Sequence, residues 1–214
     1  MPSTFAQIAH IADDTQAEGP GRRMAIWFQG CPLRCAECCN PEMLPFEGGQ
    51  AIALESLGER MTKAKAMHAI EGITLLGGEP FAHAAAAVAL ARFAQASGLS
   101  VMVFSGYTLE DLQVRGDAII DALLDATDIL VDGPYLRELP DRARRWIGST
   151  NQRIHFLSSR YRADDPIWQA PNTLEIRWQD GELAINGFPS PGTKRLWQRP
   201  ATSSPGELGR RRNS

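Results

Sequence analysis

Three cysteines within eight residues constrain this chain more than anything else in it. The segment 30–40 reads Gly-Cys-Pro-Leu-Arg-Cys-Ala-Glu-Cys-Cys-Asn, so Cys31, Cys35 and Cys38 are spaced C-x3-C-x2-C. Thiols this close on one loop can all face a common point. Three thiolates suit three corners of a cubane iron–sulfur cluster and leave one iron without a protein ligand, open to a small molecule. The four-cysteine ferredoxin pattern is absent. A structural zinc site needs four closed ligands. Cys39, the fourth cysteine, adjoins Cys38, and His10, His68, His83 and His155 are scattered without finger spacing. Zinc is therefore the weaker reading. The crowding of all four cysteines argues against a secreted disulfide framework and for a reducing compartment, the cytoplasm.

The remainder of the chain reads as an α/β domain. Its 214 residues are 43% hydrophobic, enough for a buried core. A formal charge of -3 gives no bulk attraction for nucleic acid. No apolar run approaches the length of a membrane span, and the N-terminus lacks a secretory signal pattern. Strands are expected at 5–11, as an edge, and at 24–28, 72–76, 100–104, 129–131 and 153–157. Helices are expected from Ile52 to His68, over 82–96 up to Gly98, and from Thr108 to Leu124 with a break at Gly116. Residues 135–152 read as a charged loop in which Arg142, Arg144 and Arg145 form a solvated face. Residues 173–178 and 183–187 flank Gln179-Asp180-Gly181-Glu182 and predict a β-hairpin. Strand–helix alternation calls for a parallel sheet with crossover helices, too short for a complete eight-fold barrel: an open, partial β/α barrel with a C-terminal hairpin. The expected division is one domain over 1–199 and a disordered tail over 200–214.

Several loops leave the strands at the end where parallel sheets collect their sites. Gly77-Gly78-Glu79-Pro80 follows one strand, Ser105-Gly106-Tyr107 the next, and Asp132-Gly133-Pro134 the fourth. Read alone, the Gly-Gly-Glu-Pro run is a tight strand-to-helix turn with Pro80 opening the helix. Ser105 and Tyr107 fit a ligand contact and a helix-entry turn equally. Asp132 fits a cavity position or a turn, and Asn40 an Asx turn before Pro41 or a contact within the cysteine loop.

Together these motifs carry a resemblance. Gly19-Pro20-Gly21 with Arg23, the run Gln29-Gly30-Cys31-Pro32 through Cys35 and Cys38 to Asn40-Pro41, and Gly77-Gly78-Glu79-Pro80 resemble the radical S-adenosylmethionine (SAM) superfamily. Phe104-Ser105-Gly106-Tyr107-Thr108, Val131-Asp132-Gly133-Pro134-Tyr135 and Gly148-Ser149 with Asn151-Gln152-Arg153 extend it over residues 5–190. Within the superfamily the chain is most similar to the activating enzymes of glycyl radical proteins, the anaerobic ribonucleotide reductase and pyruvate formate-lyase activases among them.

The resemblance implies a [4Fe-4S] cluster on Cys31, Cys35 and Cys38, with SAM on the fourth iron and Gly77, Gly78, Glu79, Pro80, Ser105 and Asn40 around it. It implies reductive cleavage of SAM to a 5′-deoxyadenosyl radical. The cofactors carry the chemistry, and no catalytic side chain is assigned. The implied partners are a glycyl radical enzyme and an electron donor such as flavodoxin or ferredoxin, with no nucleic acid and no membrane. Two departures stand out: Glu37 where an aromatic residue often precedes the third cysteine, and Cys39 where an aromatic or histidine often follows. The alternatives are a radical SAM enzyme acting on a small molecule, nucleotide or peptide, and a non-catalytic iron–sulfur protein.

Overall fold

The computed structural model describes residues 4–179 and 182–187. A seven-stranded sheet organises it. Strand β1 (Phe5–Thr15) pairs antiparallel with β2 (Arg23–Phe28). A short strand β3 (Gln50–Ala53) pairs with the other side of β1 and leads into helix α1 (Leu54–His68). Then come β4 (Gly72–Gly77), α2 (Ala84–Ala96), β5 (Ser100–Phe104), α3 (Leu109–Val114), α4 (Ala118–Asp125), β6 (Ile129–Asp132) and β7 (Arg153–Phe156). The strand order is β3-β1-β2-β4-β5-β6-β7. The neighbours β2, β4, β5 and β6 run parallel, and β7 returns antiparallel to β6. A separate two-stranded hairpin, β8 (Leu174–Gln179) and β9 (Glu182–Gly187), follows.

The reason for this architecture is visible in the strands. All six residues of β2 are buried, and β4 is buried from Gly72 to Leu76, as parallel strands covered on both faces must be. One face meets the helices. Leu57 and Met61 of α1 and Leu90 and Ala94 of α2 pack there against Ile26, Ile73, Leu75 and Val101. The other face is lined by Ala25, Trp27, Leu76, Met102, Val131 and Trp146. With helices on one face only and antiparallel strands at both flanks, the sheet forms an open, partial β/α barrel.

Several expectations are revised. The segment from Phe5 is not the edge strand, because β3 lies outside it, and the helix begins at Leu54 rather than Ile52. Met67, expected on the apolar stripe of α1, is 75% exposed. The capping box at Thr108 forms, with Asp111 N–H donating to Thr108 Oγ1 at 3.1 Å, and Gly116 separates α3 from α4. Arg144 is no solvated cation: it donates to Asp141 Oδ2 at 2.7 Å and to the carbonyls of Gln152 at 2.7 Å and Thr150 at 3.0 Å. Arg145 stacks over Trp146, 4.3 Å from its ring centre. The hairpin strands are present, whereas the turn residues Asp180 and Gly181 and the expected tail 200–214 lie outside the described residues.

Candidate active site

The cysteine loop leaves the C-terminal end of β2 and is held by its own backbone. Gly30 N–H donates to Met43 O at 2.9 Å and Cys31 N–H to Leu44 O at 3.0 Å. The Gln29 amide donates to the carbonyls of Glu42 at 3.1 Å and Pro45 at 2.7 Å, closing the loop from beneath. Arg34 and Glu37 adopt left-handed backbone, φ 53° and 56°, one before and two after Cys35. Such turns cost non-glycine residues energy and swing successive N–H groups to one side. The Asn40 N–H meets Cys38 Sγ at 3.5 Å, and the Leu33 and Arg34 N–H groups favour the thiolate of Cys31 against the burial that opposes it.

The loop after β4 lies directly against this one. Gly78 N–H donates to Phe28 O at 2.8 Å and Glu79 N–H to Gly30 O at 3.0 Å. A Cβ on Gly78 would sit 2.3 Å from Gly30 O, and one on Gly77, at φ +94°, would sit 2.7 Å from Trp27 Cα. The two glycines are thus demanded first by the approach of one loop to the other.

Glu79 is 1% exposed. Its Oε1 accepts from Phe81 N–H at 3.0 Å and Ser105 Oγ at 3.0 Å, and its Oε2 from Gly106 N–H at 2.8 Å. Burial pushes its pKa up to about 7, against the pull of those donors towards the charged form. The carboxyl therefore brackets the exits of β4 and β5. A Cβ on Gly106 would meet Leu33 of the cysteine loop at 2.5 Å, so all three loops pack together.

They enclose one cavity of about 750 Å³. Cys31, Cys35, Cys38 and Cys39 line it, with Asn40, Gly77, Gly78, Glu79 and Ser105. Pro80 is buried and opens the short helical turn Pro80–His83 without lining the cavity. Asp132 does not line it either. Its carboxylate is fully buried, held by Arg153 Nε at 3.1 Å and Leu109 N–H at 2.7 Å, with His155 Nε2 3.0 Å away. Arg23 is buried at the opposite end of β2, donating to Thr74 Oγ1 at 2.8 Å, Ser100 Oγ at 2.9 Å and Pro20 O at 3.0 Å, a purely structural role. Glu37 ion-pairs with Arg137 at the surface.

Sequence reasoning missed part of the wall. His10, Glu18, Tyr135, Trp146, Gln152 and Asn186 also line the cavity. None stands in a cysteine or Gly-Gly-Glu-Pro motif, but Gln152 belongs to the run Gly148-Ser149-x-Asn151-Gln152-Arg153. The structure gives that run a function. Gln152 Oε1 accepts from Gly148 and Ser149 N–H at 3.0 and 3.1 Å, its Nε2 donates to Gly133 O at 3.1 Å, and Asn151 donates to Pro134 O at 2.8 Å. The run fastens the exit of β6 around Tyr135.

The donor set fits an iron–sulfur cluster. Cys31 is buried, Cys35 and Cys38 are half-buried, and all three face one cavity with backbone N–H groups turned on two of the sulfurs, as cluster thiolates require. Among the described residues no three His, Cys, Asp or Glu side chains stand close enough to share a single metal ion.

A three-loop pocket with a trio of thiols defines an iron–sulfur protein, and comparison agrees. The model of the 4Fe-4S single cluster domain matches residues 17–155, and the chain belongs to that family. Among curated proteins it is similar to the anaerobic ribonucleoside-triphosphate reductase-activating protein of Salmonella typhimurium, 30% identical over 145 residues that cover 65% of this chain and 91% of that one. The protein of the same name from Vibrio cholerae is 31% identical over 143 residues, 64% of this chain and 89% of that one. The crystal structure of QueE from Escherichia coli aligns with a TM-score of 0.40 at 20% identity over 50% of this chain and 55% of that chain, too slight a likeness to bear on the fold.

Proposed function

We propose that this chain activates a glycyl radical enzyme, the class of partner on which its relatives act, and that an anaerobic ribonucleoside-triphosphate reductase is that partner. The chain is a radical SAM enzyme whose cofactors are a [4Fe-4S] cluster and SAM. Held at Cys31, Cys35 and Cys38 and the loops beside them, these cofactors would supply radical chemistry able to remove a hydrogen atom from a glycine Cα of the partner.

In this reading the protein's own residues position and shield. Cys31, Cys35 and Cys38 would hold the cluster. Gly77 and Gly78, with no side chains, bring backbone close to the methionine end of SAM. Glu79 keeps that loop in register with Ser105, and Asn40 closes the cysteine loop. Pro80 fixes the helical turn behind it. The cavity walls exclude bulk water from the reacting atoms. A flavodoxin or ferredoxin supplies the electron, in the cytoplasm, and residues 1–199 act as one domain. No helix among the described residues is long and apolar enough to cross a membrane.

The observation that carries the proposal is the docking of the Gly77–Glu79 loop on the root of the cysteine loop, with Gly78 and Glu79 N–H donating to the Phe28 and Gly30 carbonyls at the C-terminal ends of adjacent parallel strands. The test is anaerobic reconstitution with iron and sulfide, followed by incubation with SAM, reductant and the reductase. A glycyl-radical doublet on the reductase is expected by electron paramagnetic resonance, with 5′-deoxyadenosine formed alongside. Release of 5′-deoxyadenosine that depends on a small molecule, with no doublet, would replace the proposal by a small-molecule enzyme.

A further inference from the structure

The hairpin β8–β9 packs inside out. Strands alternate their side chains, so one face carries Glu175 and Arg177 and the other Ile176 and Trp178. The polar face is the anchored one. Glu175 Oε1 accepts from Gln16 N–H at 2.7 Å, and Arg177 donates to Asp14 O. At the end of β9, Gly187 N–H donates to Oε1 of the buried Glu18 carboxyl at 2.7 Å. A Cβ on Gly187 would lie 2.9 Å from that of Ala17, so this anchorage is tight. The apolar face is left outward: Ile176 is 57% exposed and Trp178 73% exposed. Hairpins ordinarily do the reverse, burying the apolar face on the core, and a bare two-stranded hairpin is marginal in water.

The register says where this face leads. Ile176 pairs across the hairpin with Ile185, so both side chains lie on the same face. Ile185 lines the cavity. The apolar surface therefore begins inside the active-site mouth and runs outward through Ile176 to Trp178. The family match ends at residue 155, and the hairpin lies beyond it.

We infer that the outward face of β8–β9, centred on Ile176 and Trp178, is the docking surface for the protein whose glycine enters the cavity. The inference rests on the activase reading. If the substrate is a backbone Cα, the segment bearing it must pass the mouth, and the surface flanking that segment must meet whatever borders the mouth. An exposed tryptophan beside an aliphatic residue, contiguous with the cavity lining, supplies the kind of anchor on which protein interfaces concentrate their affinity. The polar anchors on the opposite face hold that surface in place before the partner arrives, which lowers the ordering cost of association.

The test uses the full-length, cluster-loaded protein and the anaerobic ribonucleoside-triphosphate reductase of the same organism. Partner concentration is titrated against the radical doublet, and binding is measured separately by sedimentation. The Ile176→Ser/Trp178→Ser double variant is expected to raise the half-saturating partner concentration, and to weaken binding, by about tenfold or more. Partner-independent formation of 5′-deoxyadenosine with strong reductant is expected to stay at the wild-type level, which shows the site intact. Trp178→Phe, which keeps an aromatic surface, should recover most of the affinity. Equal affinity of wild type and double variant overturns the inference while leaving the activase reading standing. Conversion of a wild-type dimer to monomers with unchanged partner affinity also overturns it, and gives the face to a second copy of this chain. Wild-type protein that neither binds nor activates the reductase removes both readings together.

Discussion

Glu79 accepts three hydrogen bonds in a site closed to solvent, and two of its donors are backbone N–H groups that have no other acceptor in the turn. Glu79→Ala leaves those donors buried and unpaired, which costs about 1–3 kcal/mol for each. A lowered denaturation midpoint and incomplete cluster loading after reconstitution are expected, read by urea titration and by iron content. Glu18 adds a pH dependence of the same sign as that of Glu79, over a window that reaches higher. Its carboxyl is 5% exposed, and burial raises its pKa to about 8 from an ordinary 4.5. The folded protein therefore keeps a proton that the unfolded chain releases between pH 4.5 and 8. Stability attributable to this residue falls as pH rises through that window and levels off above it, with a slope of at most about 1.4 kcal/mol per pH unit. Glu18→Gln should flatten that slope in chemical denaturation measured between pH 5 and 8.5, if the Gly187 N–H finds the amide oxygen. Among the cysteines, Cys31→Ala, Cys35→Ala and Cys38→Ala are each expected to abolish cluster absorbance, while Cys39→Ala retains it. Equal loss with Cys39→Ala would reassign a ligand.

At the level of elements, the loops after β2, β4 and β5 form one unit whose tolerances are set by backbone contact. Gly78→Ala drives a Cβ against the Gly30 carbonyl, where neither backbone can retreat without breaking the Glu79 N–H bond to the same oxygen. The variant should lose SAM binding and cluster retention together, measured by equilibrium dialysis of labelled SAM and by absorbance. Gly116→Ala is the control: open space surrounds that position, so only its left-handed φ of +59° opposes the change, at about 1 kcal/mol. The β6 exit is secured differently. Arg153 spans Asp132 and Glu110, bridging a buried carboxylate at the end of β6 to the first turn of α3. Arg153→Met strands the Asp132 charge with only His155 and one backbone N–H beside it, and should cost about 3 kcal/mol. Asp132→Asn in the same background should restore part of that loss, because it removes the stranded charge. Thermal unfolding of the single and double variants checks both.

Across the whole molecule, the sequence by itself disclosed the parallel core and the motifs of the loops that leave it. Apolar runs at Met24–Phe28, 72–76 and 100–104 are too evenly buried for a half-solvated sheet, and helical spacing between them forces crossover connections. Three cysteines on one loop and a Gly-Gly-Glu-Pro turn one unit later are local patterns, readable because each is confined to a few adjacent residues. Tertiary structure decided what depends on distant partners. It placed β3 at the edge by pairing Gln50–Ala53 with β1, a match no periodicity in four residues could reveal. It gave Glu79 a bracketing role beside its place on the cavity wall, because Ser105 and Gly106 arrive from another strand. It set His10, Glu18 and Trp146 on the cavity wall and took Asp132 away from it. It laid the polar rather than the apolar face of the hairpin against the domain. The physical division is one of range: backbone preference and solvent-averaged hydrophobicity act along the chain and are written in neighbours, whereas hydrogen-bond satisfaction of a buried group is fixed only once remote segments have met.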